Sequence, residues 1–181
     1  MSEPNKDMLQ TFDDAALVRL GRLVADNRQA VLATVTPDGR PYTAMVAYTP
    51  EPGNAAFLVH LSDLSAHKGH LRADERVSLM LFDPDKGGGE ILLHARLNLG
   101  CRARILAKES EEEAAARQTY LARFPGHQLM FTLKDFDLVR LEPQEGLLNA
   151  GFGKAYAVRP EDLGRAAELA AAVGGVGGEG G

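Results

Sequence analysis

The most informative stretch of this sequence runs Phe57-Leu58-Val59-His60-Leu61-Ser62-Asp63-Leu64-Ser65-Ala66-His67-Lys68-Gly69-His70-Leu71. It begins as a mostly apolar, β-favouring segment and continues, after a serine, as a short helical one. Hydroxyl groups, helix N–H groups and cationic side chains meet where the two segments join, and a phosphate dianion needs these groups. The stretch therefore predicts a strand–helix junction at which Ser62, Ser65, His67 and Lys68 are candidate phosphate ligands.

On both sides of this junction, short strands are joined by turns, and only a few helices intervene. Strands are predicted over residues 31–36, 42–49, 56–61, 76–82, 136–141 and 148–158, with a long, bent β segment over 91–106. Helices are predicted over residues 13–27, 65–73 and 110–124. No G-x-G-x-x-G turn and no P-loop occurs. The pattern favours a mostly antiparallel barrel rather than a Rossmann sheet.

Length and composition indicate a protein with one core. The first 160 of the 181 residues are predicted to form one domain, followed by a helix over 161–173 and a disordered glycine-rich tail over 174–181. Residues 83–89 read as a flexible loop. A net charge of −5 argues against a general nucleic-acid binder. The single cysteine, Cys101, and the lack of a secretion signal or membrane-length apolar run predict a cytoplasmic protein that does not bind membranes.

In its order of elements, the chain resembles the FMN-binding split barrels of the pyridoxamine 5'-phosphate oxidase-like superfamily, and more closely their haem-utilisation (HugZ-type) branch. The resemblance covers about residues 13–158. The strings that carry it are Pro41-Tyr42-Thr43-Ala44-Met45-Val46, Leu61-Ser62-Asp63-Leu64-Ser65-Ala66-His67, Arg76-Val77-Ser78-Leu79, Arg96-Leu97-Asn98-Leu99, Arg102-Ala103 and Gly151-Phe152-Gly153-Lys154-Ala155. It implies a mostly β (α+β) fold, namely an antiparallel split β-barrel with flanking helices.

The resemblance also implies a cofactor site in which FMN lies across a homodimer interface. It assigns the backbone of Ala44, Met45 and Val46 to the flavin ring. It assigns Ser62, Ser65 and His67 to the phosphate, with Lys68 as the alternative cation, and Arg96 to a polar flavin contact. The oxidases have an arginine where Ala44 stands and a lysine where His67 stands, so part of their phosphate site is missing here.

Several of these residues also have simpler interpretations. Ser65 could only cap the helix that follows it, and Arg96 could face solvent. His67 and His70 are three residues apart, but no further ligands for a metal can be identified, so no metal site is predicted. No catalytic acid, base or nucleophile is assigned.

Three functions follow from the resemblance. The leading one is an FMN-dependent oxidoreductase, that is, an FMN-binding oxidoreductase-like protein with an unknown small-molecule substrate. It is not expected to be a true pyridoxamine phosphate oxidase, because the Arg-x-His substrate motif is absent and no histidine follows Phe136. One alternative is a haem-binding or haem-degrading protein, although no histidine follows His127 to act as a C-terminal ligand. The other is a non-catalytic FMN-binding regulatory dimer.

Overall fold

The computed structural model describes residues 9–84 and 90–175. Its strands are β1 (Gln29–Val35), β2 (Pro41–Pro50), β3 (Phe57–Ser62), β4 (Arg76–Phe82), β5 (Arg96–Ile105), β6 (Phe136–Asn149) and β7 (Ala155–Val158). Its α-helices are α1 (Asp14–Asp26), α2 (Ala66–Ala73), α3 (Glu111–Arg123) and α4 (Pro160–Gly175). Short 3-10 helices span Pro52–Asn54, Ile91–Leu93 and Pro125–Thr132. No helix within the two described ranges is long and apolar enough to cross a membrane.

The strands form one antiparallel sheet in the order β3-β2-β1-β4-β5-β6-β7. β3 also pairs with β6, through the register from Phe57 opposite Leu141 to Ser62 opposite Phe136. This second pairing closes six strands into a barrel and leaves β7 at the edge. The predicted mostly β (α+β), antiparallel split barrel with flanking helices is thereby confirmed.

The barrel interior is filled by the alternate side chains of its strands. On β5, Leu97, Leu99 and Cys101 are nearly fully buried, while the residues between them are not. Burial raises the pKa of the Cys101 thiol to about 12, so this cysteine is a packing residue rather than a nucleophile. α1 begins at its cap Asp13, whose carboxylate accepts a hydrogen bond from the Ala16 N–H at 2.7 Å.

Three predicted β segments differ from the observed ones. Residues 91–93 form a 3-10 turn, and β5 begins only at Arg96, with the expected bulge between Gly100 and Cys101. β6 runs without a break through the polar segment around Pro143, where the predicted strands 136–141 and 148–158 were separate. The strand predicted over 148–158 is itself divided by a turn at residues 150–154, and its last residues form β7. Pro143 lies opposite Cys101 at that bulge, where a missing backbone N–H is tolerated, so the ladder continues past it.

The C-terminal helix extends two residues further than predicted. α4 begins at Pro160 and includes Gly174 and Gly175, which were predicted to belong to the tail. Glycine lowers helix stability without forbidding helical backbone, so the last turn can include both residues. The rest of the predicted tail, residues 176–181, and residues 85–89 of the predicted flexible loop lie outside the described residues.

Helices α1 and α4 pack closely at Gly21. A Cβ added to Gly21 would lie 2.2 Å from the Ala166 carbonyl oxygen and 2.7 Å from the Ala170 Cβ. We therefore expect Gly21→Ala to destabilise the fold by about 1–3 kcal/mol, because α4 must move away. Gly69→Ala is the matched control, since nothing lies within 4 Å of its added Cβ on the exposed face of α2. That change should stabilise the protein by about 0.5–1 kcal/mol in urea unfolding, and equal effects at both sites would contradict the prediction.

Candidate functional site

The junction between β3 and α2 uses most of its own polar groups internally. Ser62 ends β3, and its hydroxyl donates to the Asp135 carboxylate at 2.6 Å and accepts from the Leu64 N–H at 3.1 Å. Ser65 is the N-cap residue of α2, but its hydroxyl makes no capping hydrogen bond with the helix. Of these two serines, Ser65 therefore keeps the hydroxyl that a ligand could use.

Lys68 is fully buried and has three oxygen partners. Its ammonium donates to the Asp135 backbone carbonyl at 2.6 Å and lies 3.0 Å from Asp63 Oδ1 and 2.7 Å from Asp137 Oδ2. An ammonium has three N–H donors, so these three oxygens use all of them. All three of these partners are internal to the protomer, and the phosphate role of Lys68 stays a prediction.

The cations at the junction lower the pKa values of the neighbouring carboxyl groups. Hydrogen bonding from Lys68, assisted by Arg72, holds the pKa of Asp63 below its usual value. Burial would raise the pKa of Asp137, but hydrogen bonds from Lys68 and Lys108 keep it lowered. The acidic groups beside the junction therefore stay ionised near neutral pH and balance the lysine charge.

His67 and His70 lie one turn apart on α2. His70 Nδ1 is 3.0 Å from the Thr34 hydroxyl, and its ring meets the edge of the Tyr42 ring with 5.1 Å between centroids. His67 is 9% exposed, and burial, together with the positive field of His70, lowers its pKa. In the free protein His67 is thus mainly neutral at pH 7, which is unfavourable for pairing with a phosphate dianion.

The predicted flavin-contacting strand has one open edge. β2 pairs with β1 along residues 41–47, whereas its ladder with β3 covers only residues 48–50. Among the described residues, the backbone of Ala44, Met45 and Val46 therefore has one edge without a strand partner. Val46 points into the core, while Met45 is 55% exposed on the outer face. This edge fits the predicted role of the segment in backbone contact with a flat ligand.

Arg96 lies away from the junction within one protomer. Arg96 begins β5 and pairs with Asn149 at one end of β6, whereas Ser62 of the junction pairs with Phe136 at the other end of the same strand. Arg96 lines a surface pocket of about 200 Å³ whose other walls are Met80, Phe82, Asp83, Ile91, His94 and Ala95. A single protomer therefore does not bring Arg96 together with Ser65 and His67.

His94 is the notable residue of this pocket that the sequence analysis did not single out. It follows three apolar residues, and the whole run was taken for the start of a strand. In the structure the run forms a 3-10 turn whose side chains are exposed. The available signal was an Ile-Leu-Leu-His string immediately before a predicted cofactor residue.

A smaller cavity of about 150 Å³ lies beside α3. His60 lines it and stacks on Phe131, with 4.0 Å between ring centroids. Burial lowers the pKa of His60 to about 4, so the ring is neutral near pH 7 and packs as an aromatic group. No group of three or more His, Cys, Asp or Glu side chains able to hold a metal ion is found in residues 9–84 and 90–175.

Comparison with known proteins identifies the fold family. The sequence profile described as pyridoxamine 5'-phosphate oxidase matches residues 20–150. The heme oxygenase HutZ of Vibrio cholerae is 32% identical over 135 residues, which are 73% of this chain and 74% of that protein. The crystal structure of HutZ, described there as a heme storage protein, has a TM-score of 0.65 at 23% identity and covers 74% of this chain and 92% of its own.

A second solved structure, a heme binding protein from Mycobacterium smegmatis, is 26% identical with a TM-score of 0.72. The match covers 86% of this chain and 62% of that one. Campylobacter jejuni ChuZ shares the fold with a TM-score of 0.74 at 19% identity, over 86% of this chain and 63% of its own. The profile match spans most of the barrel, and the chain belongs to the pyridoxamine 5'-phosphate oxidase-like family.

Proposed function

We propose that this chain is a haem-binding protein of the haem-utilisation type, with haem degradation as the activity to test. The observation that carries the proposal is the 32% identity to the heme oxygenase HutZ across about three quarters of both chains. The 26% identical heme binding protein of Mycobacterium smegmatis supports it independently. Bound haem would supply a redox-active iron, and the protein would supply an apolar surface, an iron ligand and countercharges for the propionates.

The geometry of the strand–helix junction supports the choice of haem over FMN. A phosphate dianion needs donors that are still available, and the structure uses Lys68 and the Ser62 hydroxyl for internal carboxylates and a carbonyl. His67 is buried with a lowered pKa. The junction therefore fits a phosphate poorly, and the predicted FMN anchor is reduced to Ser65 and the N–H groups at the start of α2.

FMN binding remains a second candidate because of one observation. The unpaired backbone edge of β2 at residues 41–47 is the feature that the family resemblance assigns to the flavin ring. FMN binding at this edge would rely on contacts with the flavin ring rather than on contacts with the phosphate. An FMN-dependent oxidoreductase or a non-catalytic FMN dimer would use the same edge.

The proposed assembly is a homodimer formed by the outer face of β2, β1 and β4. Met45, Val31 and Met80 lie in register across these strands and point away from the core. The neighbouring outward residues are also uncharged, namely Ala33, Thr43, Ala47 and Ser78. A solvated sheet face normally carries polar and charged side chains, so we assign this face to the partner protomer. A second protomer would also supply the Arg96 that one protomer keeps distant from its own junction.

Absorption spectroscopy of the purified full-length chain tests the function directly. We expect added haemin to give a Soret band that stays with the protein through gel filtration, and a reductant with oxygen to bleach it if the haem is degraded. Retained flavin bands after FMN addition, without a stable Soret band, would favour the second candidate. Failure to retain either chromophore would reject both proposals.

A further inference from the structure

The cavity beside α3 is lined by both apolar and polar side chains, and none of the residues predicted to bind FMN lines it. Its volume is about 150 Å³, and its apolar lining includes Phe131, Phe136 and Leu138. An apolar protein cavity of roughly this volume holds a molecule the size of benzene. The cavity beside α3 is therefore large enough for one six-membered ring.

His60 brings an unsatisfied ring nitrogen to this cavity. The side chain lines the cavity, and its Nδ1 is shielded from solvent and has no hydrogen-bond partner among the described residues. Buried polar atoms of native proteins are normally hydrogen-bonded. A molecule bound in the cavity would therefore gain a hydrogen bond at Nδ1 without displacing a partner that the folded chain already supplies.

A second histidine in the same aromatic cluster is satisfied within the protein. His127 Nδ1 lies 3.1 Å from the Tyr120 hydroxyl, and its ring stacks on Phe124 with 5.0 Å between centroids. His127 does not line the cavity. His60 also stacks on an aromatic ring, that of Phe131, but its Nδ1 has no such partner within the described residues. Of these two histidines, the unsatisfied one is the one at the cavity.

The charged groups around the cavity balance one another. Arg117 Nη2 lies 2.8 Å from one carboxylate oxygen of Glu113 and 2.9 Å from the other. Lys108 Nζ lies 3.2 Å from Asp137 Oδ1. The remaining charged lining residues are exposed and opposite in sign, namely Glu109 and Lys134. The cavity therefore offers a ligand no net charge, which favours an uncharged molecule.

The protonation state of His60 suits a hydroxyl group. Burial lowers its pKa to about 4, so near pH 7 the imidazole is neutral, with one ring nitrogen as donor and the other as acceptor. A hydroxyl group can donate and accept, so it satisfies Nδ1 in either tautomer. Water molecules need two to four polar partners each, and the rings of Phe131 and Phe136 do not supply them.

We infer that this cavity is a binding site for a small uncharged phenol, whose ring lies against the apolar lining and whose hydroxyl forms a hydrogen bond with His60 Nδ1. The ring matches the cavity volume, the hydroxyl matches the unsatisfied nitrogen, and the lack of charge matches the paired ions. Such a site is independent of the haem-binding function proposed above.

Titration of the full chain with phenol and with toluene, followed by two-dimensional amide NMR spectra, tests this site. Toluene has the same number of non-hydrogen atoms as phenol but lacks the hydroxyl. We expect His60→Phe to weaken phenol binding by at least roughly tenfold without weakening toluene binding, because the variant keeps an aromatic ring and loses one hydrogen bond. His127→Phe is the matched control and should leave the affinity for both compounds unchanged, because His127 does not line the cavity.

Two readouts on the wild type do not depend on the folding of a variant. Phenol should shift the amide signals of residues 131–138 and of the first turns of α3, and it should move the ring nitrogen signals of His60, which toluene should leave in place. Absence of phenol binding would overturn the inference, as would shifts confined to another part of the protein. Equal phenol affinity of wild type and His60→Phe would overturn it as well.

Discussion

Replacing Lys68 with methionine is expected to destabilise the fold by about 3 kcal/mol in urea unfolding at pH 7. Removing one partner of a buried ion pair costs about 3–5 kcal/mol. The lower end applies here because Asp137 keeps a second cation, Lys108, at 3.2 Å. The change leaves the Asp135 carbonyl and the largely buried Asp137 carboxylate without their shared donor. Methionine matches the length of lysine, so the effect reports the lost charge and hydrogen bonds rather than a cavity.

Arg72→Met is the matched control for this prediction. Arg72 contacts two of the same carboxylates, at 2.8 Å from Asp63 and 3.9 Å from Asp137, but its side chain is 54% exposed. Ion pairs of exposed side chains contribute little, so this variant should unfold at nearly the wild-type urea concentration. If both variants lose the same stability, the buried lysine has no special role in the junction.

The loss in Lys68→Met should also depend on pH in a defined direction. The folded-state pKa values of Asp63 and Asp137 are lowered, so their contribution is present above the unfolded-state value of about 4. It is lost as the pH falls through the lower folded-state values. The stability difference between wild type and variant should therefore be full at pH 7 and shrink below about pH 4. A constant difference across this range would mean that the loss is not electrostatic.

The sequence predicted local structure well because the decisive groups are neighbours in the chain. The Asp13 cap and the Ser110 cap, which accepts from the Glu113 N–H at 3.1 Å, each satisfy an N–H three residues away. Such contacts are visible as short patterns. The closed barrel followed from the order of strands and from the family resemblance.

The contacts of Lys68 could not be predicted from the sequence. Lys68 has a hydrophilic neighbourhood in the sequence, and nothing there shows that Asp135 and Asp137 will lie beside it. Asp137 lies on β6 and Asp135 immediately precedes it, almost seventy residues after Lys68, and the pairing of β3 with β6 brings both acids to the junction. That pairing converts a candidate ligand into a buried structural cation. The exposure of Ile91, Leu92 and Leu93 was equally hidden, because apolar residues before a strand are normally its buried start.

Met45→Glu is expected to convert the proposed homodimer into a folded monomer. Met45 lies at one end of the uncharged row across β2, β1 and β4, and its side chain is 55% exposed in the protomer. A glutamate there remains hydrated in the monomer, so the fold should keep its stability. A symmetric interface contains the substituted residue twice, once from each protomer. Each buried, unpaired charge makes the free energy of association less favourable by several kcal/mol. The dimer dissociation constant should therefore rise by at least roughly a hundredfold.

Light scattering at micromolar protein concentration, with and without haemin, measures this change. Leu129→Glu is the control, because Leu129 is 73% exposed on the 3-10 segment between α3 and β6, away from the proposed interface, and the variant should remain dimeric. Because Arg96 reaches a junction only through the second protomer in the proposed assembly, the Met45→Glu monomer should also bind haemin more weakly. A wild-type monomer, or a Met45→Glu dimer, would place the interface elsewhere. A Met45→Glu monomer with undiminished haemin affinity would show that one protomer suffices for haemin binding. That result would contradict a site shared between two protomers.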